Sequence, residues 1–334
     1  MRIAVDAMGG DHAPEEIVSG CRRFAAESGT ELLLVGASQA LAPLVPEGAG
    51  DGRLRIYEAP DTVGMDESPA KALRRPRASV AVAVGLVRDG EAEAVVSAGN
   101  SGAFMAWAWK GLGTVPGLDR PAIAILVPTL EGPRILLDAG ANADCRPANL
   151  VEWGLLGSVY AEAVLDLRNP RVGLLNIGSE EGKGNELVRS ALAGLRELGD
   201  AIHFVGNVEG ADVFAGRVDV TLCDGFTGNV VLKVAEGVSE LIIGEVKREM
   251  RRRPVAMVGG LLAGGALRAM RRRFDKAEYG GAMLVGVNGV CIVGHGHSDA
   301  RAICNAIAVG ERAVKARLLS RISESLAQPA AVRA

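Results

Sequence analysis

Aromatic residues make up only 4% of this 334-residue chain, and lysine is rare, with seven Lys against thirty Arg. The five cysteines (Cys21, Cys145, Cys223, Cys291, Cys304) are scattered, odd in number and form no C-x-x-C. That excludes zinc-ribbon spacing and points to a reducing, intracellular compartment. No apolar run reaches the ~18 residues that span a bilayer. The opening MRIAVDAMGGD has one Arg and few apolar residues before Asp6, so it does not read as a signal peptide. Neither a G-x-G-x-x-G dinucleotide fingerprint nor a G-x-S-x-G nucleophile elbow occurs. Neither sign of charge dominates: 37 Lys and Arg face 40 Asp and Glu, a net −3. A whole-chain basic nucleic-acid binder is excluded, and no nucleic-acid partner is expected.

What is plentiful is glycine, 44 residues without collagen periodicity, in a chain that is 49% hydrophobic. Short aliphatic runs each meet a glycine-rich or polar loop: RIAVDAMGGD (2–11), LLLVGAS (32–38), AVVSAGNSG (94–102), RILLDAGANAD (134–144), VGLLNIGSEEGKG (172–184), IHFVGNVEG (202–210), VDVTLCDGFTGN (218–229) and VCIVGHGHSD (290–299). Runs without alternation predict strands buried on both faces. Stretches with helical spacing lie between them, at 15–28, 68–90, 148–165 and 185–199. The pattern predicts an α/β fold, three layers α/β/α with a mostly parallel sheet. We read 1–334 as a single compact catalytic unit with room for two lobes around a cleft, ending in a frayed AQPAAVRA tail. In such sheets ligands bind outside the carboxyl ends of the strands, where the glycine-rich loops fall.

Asp6 is followed by Gly9 and Gly10, which allow close approach or simply a tight turn. Ser97, Gly99, Asn100, Ser101 and Gly102 precede an apolar helix bearing Phe104, Met105, Trp107 and Trp109. Small residues at a helix start leave N–H groups for an anion, or serve only as a cap. Lys183 stands between two glycines in GSEEGKGNE; the spacing is wrong for a nucleotide P-loop, which leaves a cationic arm for phosphate or an oxyanion, or a solvated lysine. Asp224, Gly225, Thr227 and Asn229 repeat the strand–loop–helix pattern. His295-x-His297-x-Asp299 has ligand types but no supporting cluster in sequence, so neither metal nor other cofactor is expected. The cysteines have no paired histidine motif, and covalent catalysis is not indicated.

In order and with matched spacing, VDAMGGDHAPEEIV, VVSAGNSGA, LLDAGANAD, NPRVGLLNIGSEEGKGNEL, CDGFTGNVVLK, EYGGAMLVGV and HGHSD resemble the bacterial phosphate acyltransferases of glycerolipid synthesis, the PlsX family, from Met1 to about Leu319. The resemblance implies a fold like isocitrate and isopropylmalate dehydrogenases and the phosphotransacetylases. It implies conversion of fatty acyl-[acyl carrier protein] and inorganic phosphate to acyl phosphate and free carrier protein. It also implies a cytoplasmic homodimer that associates peripherally with the membrane, alongside a membrane glycerol-3-phosphate acyltransferase. Lys183 and Asn229 are the expected active-site pair, holding phosphate and the developing oxyanion. The loop Ser97–Gly102 is expected to cradle phosphate, with Asp6, Asp138, Asn142, Asp224 and His295 orienting groups or lining the cleft. The alternatives are a phosphotransacetylase-like enzyme using acyl-CoA, a dehydrogenase of similar fold, or a non-catalytic membrane scaffold.

Residues 247–273 carry nine cations, among them Arg251, Arg252, Arg271 and Arg272, against Glu249 alone; the segment is +8 and the rest of the chain −11. Between the two Arg triplets lie apolar residues including Val258, Leu261 and Leu262, too few to cross a bilayer. A helical pair with an apolar bend is expected, broken at the Gly pairs, to rest on anionic lipid, dock acidic carrier protein or pack in a dimer.

Overall fold

The computed structural model describes residues 1–46 and 48–327. The 328–334 tail and the side chains of Val258, Leu261 and Arg271 lie outside the described residues. Among the described residues eleven strands form one sheet: β1 (Arg2–Asp6), β2 (Glu31–Gly36), β3 (Leu54–Glu58), β4 (Ala94–Ser97), β5 (Ala122–Thr129), β6 (Gly132–Leu137), β7 (Arg171–Leu175), β8 (His203–Val208), β9 (Val220–Leu222), β10 (Ala282–Val285) and β11 (Val290–Val293). Their order is β3-β2-β1-β4-β11-β10-β5-β6-β9-β7-β8.

Seven of the ten pairings are parallel. The three antiparallel ones fall together at β11–β10, β10–β5 and β5–β6. Three successive reversals turn the second parallel set, β6-β9-β7-β8, against the first, β3-β2-β1-β4-β11. The expectation that all the glycine-rich loops share one carboxyl edge is therefore corrected. Loops after β1, β4 and β11 gather at one edge; those after β6, β7 and β9 gather at the other.

Alternation along each strand divides the interior between two faces. Ile3 and Val5 join Leu150, Trp153, Leu195 and Ile307 beneath the helices Glu15–Glu27, Pro147–Leu165, Glu186–Glu197 and Ala300–Lys315. Ala4 points the other way, into a core with Val84 and Phe104 under Ser79–Arg88 and Ser101–Leu112. Each large apolar side chain so buried contributes about 1.5–3 kcal/mol. Helix 101–112 is only partly core, for Trp109 remains exposed.

Two helical expectations change. Residues 68–90 form two helices, Pro69–Ala72 and Ser79–Arg88, because Pro76 interrupts the first pattern. The segment 247–273 is not a simple pair. A long helix, Gly225–Arg252, is followed by Pro254–Leu262 and Gly264–Phe274. The Gly259-Gly260 pair stays helical, while the last two helices form a pair broken at Ala263, beside Gly264-Gly265, and a second break falls at Arg253, which is extended before Pro254.

At the amino edge of the second set, Asp219 is only 7% exposed. It accepts hydrogen bonds from Arg171 N (2.8 Å) and Arg171 Nε (3.0 Å) and pairs with Arg134 Nε at 2.9 Å. Burial pushes its carboxyl up, but the Arg171 hydrogen bonds and the two guanidinium charges outweigh burial and hold it below the ordinary carboxylate value. A depressed folded pKa stabilises above the unfolded value and loses that stabilisation as pH falls through the folded one. Asp219→Asn should therefore cost about 3 kcal/mol at neutral pH. In denaturant titrations the deficit should shrink on acidification below the ordinary carboxylate range; a pH-independent deficit would show that the charge is not the cause.

Candidate active site

At the first edge the loops after β1 and β4 are pressed together. Asp6 is 2% exposed and accepts a 2.6 Å hydrogen bond from Ser97 Oγ. Burial raises its pKa, against the pull of hydrogen bonds from Ser79, Ser97 and Met8. A Cβ on Gly9 would stand 2.5 Å from Asp6 Oδ2 and 2.8 Å from Gly99 N, so glycine is required by the approach of the two loops. Gly10 has φ +117°, a conformation that favours glycine for a second reason.

Asn100 caps helix 101–112 by accepting from Ala103 N at 2.9 Å. Its amide nitrogen donates to the carbonyls of Met65 and Glu67 at 2.8 Å and of Gly64 at 3.3 Å. Residues 64–67 have no side-chain signature in the sequence, since they are held through main-chain carbonyls. Gly102 follows in the first turn, and Ser101 is exposed. The loop after β11 closes this edge: Asp11 N donates to Gly296 O at 2.8 Å, and Asp11 Oδ2 lies 3.0 Å from His297 Nδ1. His295 is exposed, and its Nδ1 accepts from His297 N at 3.3 Å.

The second edge is organised by Asp138, which is fully buried. Oδ1 accepts from the backbone N–H groups of Ile123 (3.0 Å), Gly140 (3.1 Å) and Ala141 (2.9 Å). Oδ2 accepts from Asn142 N (2.7 Å) and Asn142 Nδ2 (2.9 Å). Burial pushes the carboxyl up while these donors oppose it. Asp224 caps the long helix, accepting from Thr227 N (2.8 Å) and Thr227 Oγ1 (2.7 Å). Gly225 N donates to Asn142 O at 2.8 Å, seating the helix start on the 138–142 loop. Asn229, one turn on, is exposed beside Gly140.

Lys183 is exposed on the loop after β7. Asn176 Nδ2 holds the Lys183 carbonyl at 3.1 Å and Asn207 Nδ2 holds that of Glu180 at 3.1 Å, so the loop is fixed while the ammonium is left alone. Among the described residues, Lys183 Nζ, the Asn229 amide and Ser101 Oγ have no protein partner, whereas Asp6, Ser97, Asn100, Asp138, Asn142, Asp224 and Thr227 are all spent on internal bonds.

A cavity of about 490 Å³ crosses the central strands between the two edges. Ser101 and His295 reach it from the first edge; Ala139 and Leu232 reach it from the second. Lys183 and Asn229 are not among its lining residues. Among the described residues no three His, Cys, Asp or Glu side chains are placed to hold a metal ion. All five cysteines are free, and burial raises every thiol, Cys145 to about 12, so none is a ready thiolate nucleophile.

In fold, the chain is similar to a phosphotransacetylase from Streptococcus pyogenes (TM-score 0.65, 17% identity, 94% of each chain covered). It is likewise similar to a branched-chain phosphotransacylase from Enterococcus faecalis V583 (TM-score 0.61, 14% identity, 94% of this chain and 99% of that one). The layered α/β architecture is thus that of the phosphotransacylase class. Residues 1–321 match the family model described as "Fatty acid synthesis protein". The chain is 52% identical over 329 residues to the phosphate acyltransferase of Heliobacterium modesticaldum, covering 98% of both. It is 49% identical over 327 residues to that of Desulforamulus reducens, covering 98% of this chain and 97% of the other. The chain belongs to this family, the phosphate acyltransferases, and is an acyltransferase.

A Cβ on Gly228 would meet the Asp138 carbonyl oxygen at 1.9 Å. Gly228→Ala should cost about 3 kcal/mol in thermal unfolding. Gly237→Ala, at an exposed point inside the same helix with open space, should instead gain up to about 1 kcal/mol. Melting of Gly228→Ala equal to that of the parent would show that the helix start is not seated on the loop.

Proposed function

We propose that this enzyme transfers a fatty acyl group from acyl carrier protein to inorganic phosphate, the first step of bacterial glycerolipid synthesis. A phosphate oxygen attacks the thioester carbonyl, forming a C–O bond and a tetrahedral oxyanion. Collapse breaks the C–S bond; the carrier thiolate leaves and takes its proton from water. Phosphate is already anionic near neutral pH, with a substantial dianion fraction, so positioning and charge neutralisation carry the rate rather than a strong base.

The observation that carries the reading is the division between spent and unspent groups. Asp6, Ser97, Asn100, Asp138, Asn142 and Asp224 are consumed in stiffening the loops. Lys183 and Asn229 remain available, one a cation for phosphate or the oxyanion, the other a neutral donor to the carbonyl oxygen. In this reading the main-chain amides at Asn100–Gly102 assist.

Lys183→Ala and Asn229→Ala should each lower phosphate-dependent thiol release from palmitoyl-[acyl carrier protein] by about 10²–10³. Melting should shift by no more than about 0.5 kcal/mol, because neither side chain has a structural partner. Equal release without phosphate would mark a thioesterase. Equal turnover of palmitoyl-CoA would favour the phosphotransacetylase-like reading. Unchanged activity in both variants would leave the scaffold reading.

We also assign the arm 247–273 to the cytoplasmic membrane surface, next to the acyltransferase that consumes acyl phosphate. In support, Val255 and Leu262 are 85% and 86% exposed beside exposed Arg251, Arg252 and Arg272. Each cation adds roughly 1 kcal/mol near anionic lipid. No helix among the described residues is long and apolar enough to cross a membrane. The helix 225–252 also presents Val230, Val234, Val238, Leu241 and Ile242 outward at helical spacing, the kind of stripe that a second copy covers in a homodimer. Val255→Glu with Leu262→Glu should abolish sedimentation with anionic vesicles, leave activity in solution intact, and leave a species of twice 34.6 kDa in light scattering. Retained vesicle binding would reject the lipid role, and a 34.6 kDa species in the parent would reject the dimer.

A further inference from the structure

The geometry points to the central cavity as the seat of the fatty acyl chain, with Ala282 at its floor setting how long a chain fits. This rests on the acyl-transfer reading and deepens it, by naming the part of the substrate that the protein measures.

Strands in the middle of a wide sheet are ordinarily covered on both faces. Here the cover thins over β5 on the face of Ile125, which is half-buried although Ile123, two residues before it on the same face, is sealed. Ala282 pairs with Val293 on one side and, one step beyond the Met283–Ala124 pair, lies beside Ile125 on the other. All three line the cavity, so its floor is one row of apolar side chains with the smallest in the middle. Leu232 of the long helix forms part of the wall. A volume of about 490 Å³ falls within the roughly 300–1,000 Å³ typical of ligand sites.

Charge decides which part of a substrate belongs there. The ionic groups on the rim are already engaged: Lys233 with Glu236 at 3.0 Å, Asp275 with Arg301, and Asp299 with Ala302 N at 2.8 Å. A phosphate, nucleotide or amide-rich arm over the floor would lose water without gaining partners. Methylenes need none, and gain by leaving water. Ser101 and His295 reach the cavity from the loops after β4 and β11, and Ala139 reaches it from the loop whose Gly140 lies beside Asn229. An uncharged chain over the floor with its activated carbonyl at the Ala139 end, toward Asn229, fits both.

The test is Ala282→Trp in the full-length protein, with palmitoyl- and butyryl-[acyl carrier protein] as paired substrates. Excluding about three methylenes is worth roughly fiftyfold. Palmitoyl kcat/KM should fall by about that factor, while butyryl kcat/KM stays within about twofold. Leu232→Trp, entering from the opposite wall, should move the same ratio, so a fold defect in one variant does not decide the matter. Binding of a fluorescent palmitate analogue is read in parallel without phosphate; the parent should bind it and both variants should not. Equal losses for both chain lengths, no loss for either, or undiminished probe binding in both variants would overturn the inference. Probe binding with this pattern in a parent that shows no phosphate-dependent turnover would instead retire the acyl-transfer chemistry while keeping the chain site.

Discussion

One buried carboxylate ties the two halves of this enzyme together. Asp138 stands at the end of β6 and accepts five hydrogen bonds: one from β5, three from the backbone of its own loop and one from the Asn142 amide. Burial alone would drive such a group toward its neutral form. Five N–H donors leave a carboxyl proton no acceptor, so the arrangement holds together as an anion in a nest of dipoles. Through Asn142 the same carboxylate places the start of the long helix, since Gly225 N bonds the Asn142 carbonyl. The position of Asn229, and the line along which the helix leaves the sheet, follow from that contact.

A division of labour results. The residues with the strongest motif character, Asp6, Asp138 and Asp224, make the loops rigid by using up their own bonding capacity. Less emphatic residues such as Ser101, Lys183 and Asn229 keep theirs. Preorganisation of this kind is costly in folding and valuable in transition-state stabilisation, because the unspent groups need not reorganise when charge develops. The approach of Gly9 to Gly99 serves the same end, permitting two loops to lie within van der Waals distance without a side chain between them.

Eight of the eleven strands among the described residues are marked in the sequence by a short aliphatic run that meets a glycine-rich or polar loop, and three lack that mark, each for its own reason. β3 is an edge strand whose LRIYE is half polar, β10 is four residues behind a Gly pair, and β5 follows the loop-like GLGTVPGLDRP. Two of these, β5 and β10, carry every antiparallel pairing, so the direction reversal at the centre of the sheet had no local signal. The site shows the same limit. Loop glycines and acids stood out as a set, but whether a carboxylate is free or fully bonded depends on contacts such as that of Ile123 N with Asp138, which no spacing encodes. The 64–67 loop was invisible because Asn100 grips only its carbonyl oxygens.

The sheet order has a further bearing on how the polypeptide is made. β4 lies between β1 and β11, yet β11 emerges from the ribosome nearly two hundred residues after β4. At roughly 5–20 residues per second, the nascent amino-terminal half waits about 10–40 s with the flank of β4 uncovered by its eventual neighbour. An uncapped strand flank is a template for wrong partners, so biogenesis has a window of vulnerability that the finished enzyme no longer displays.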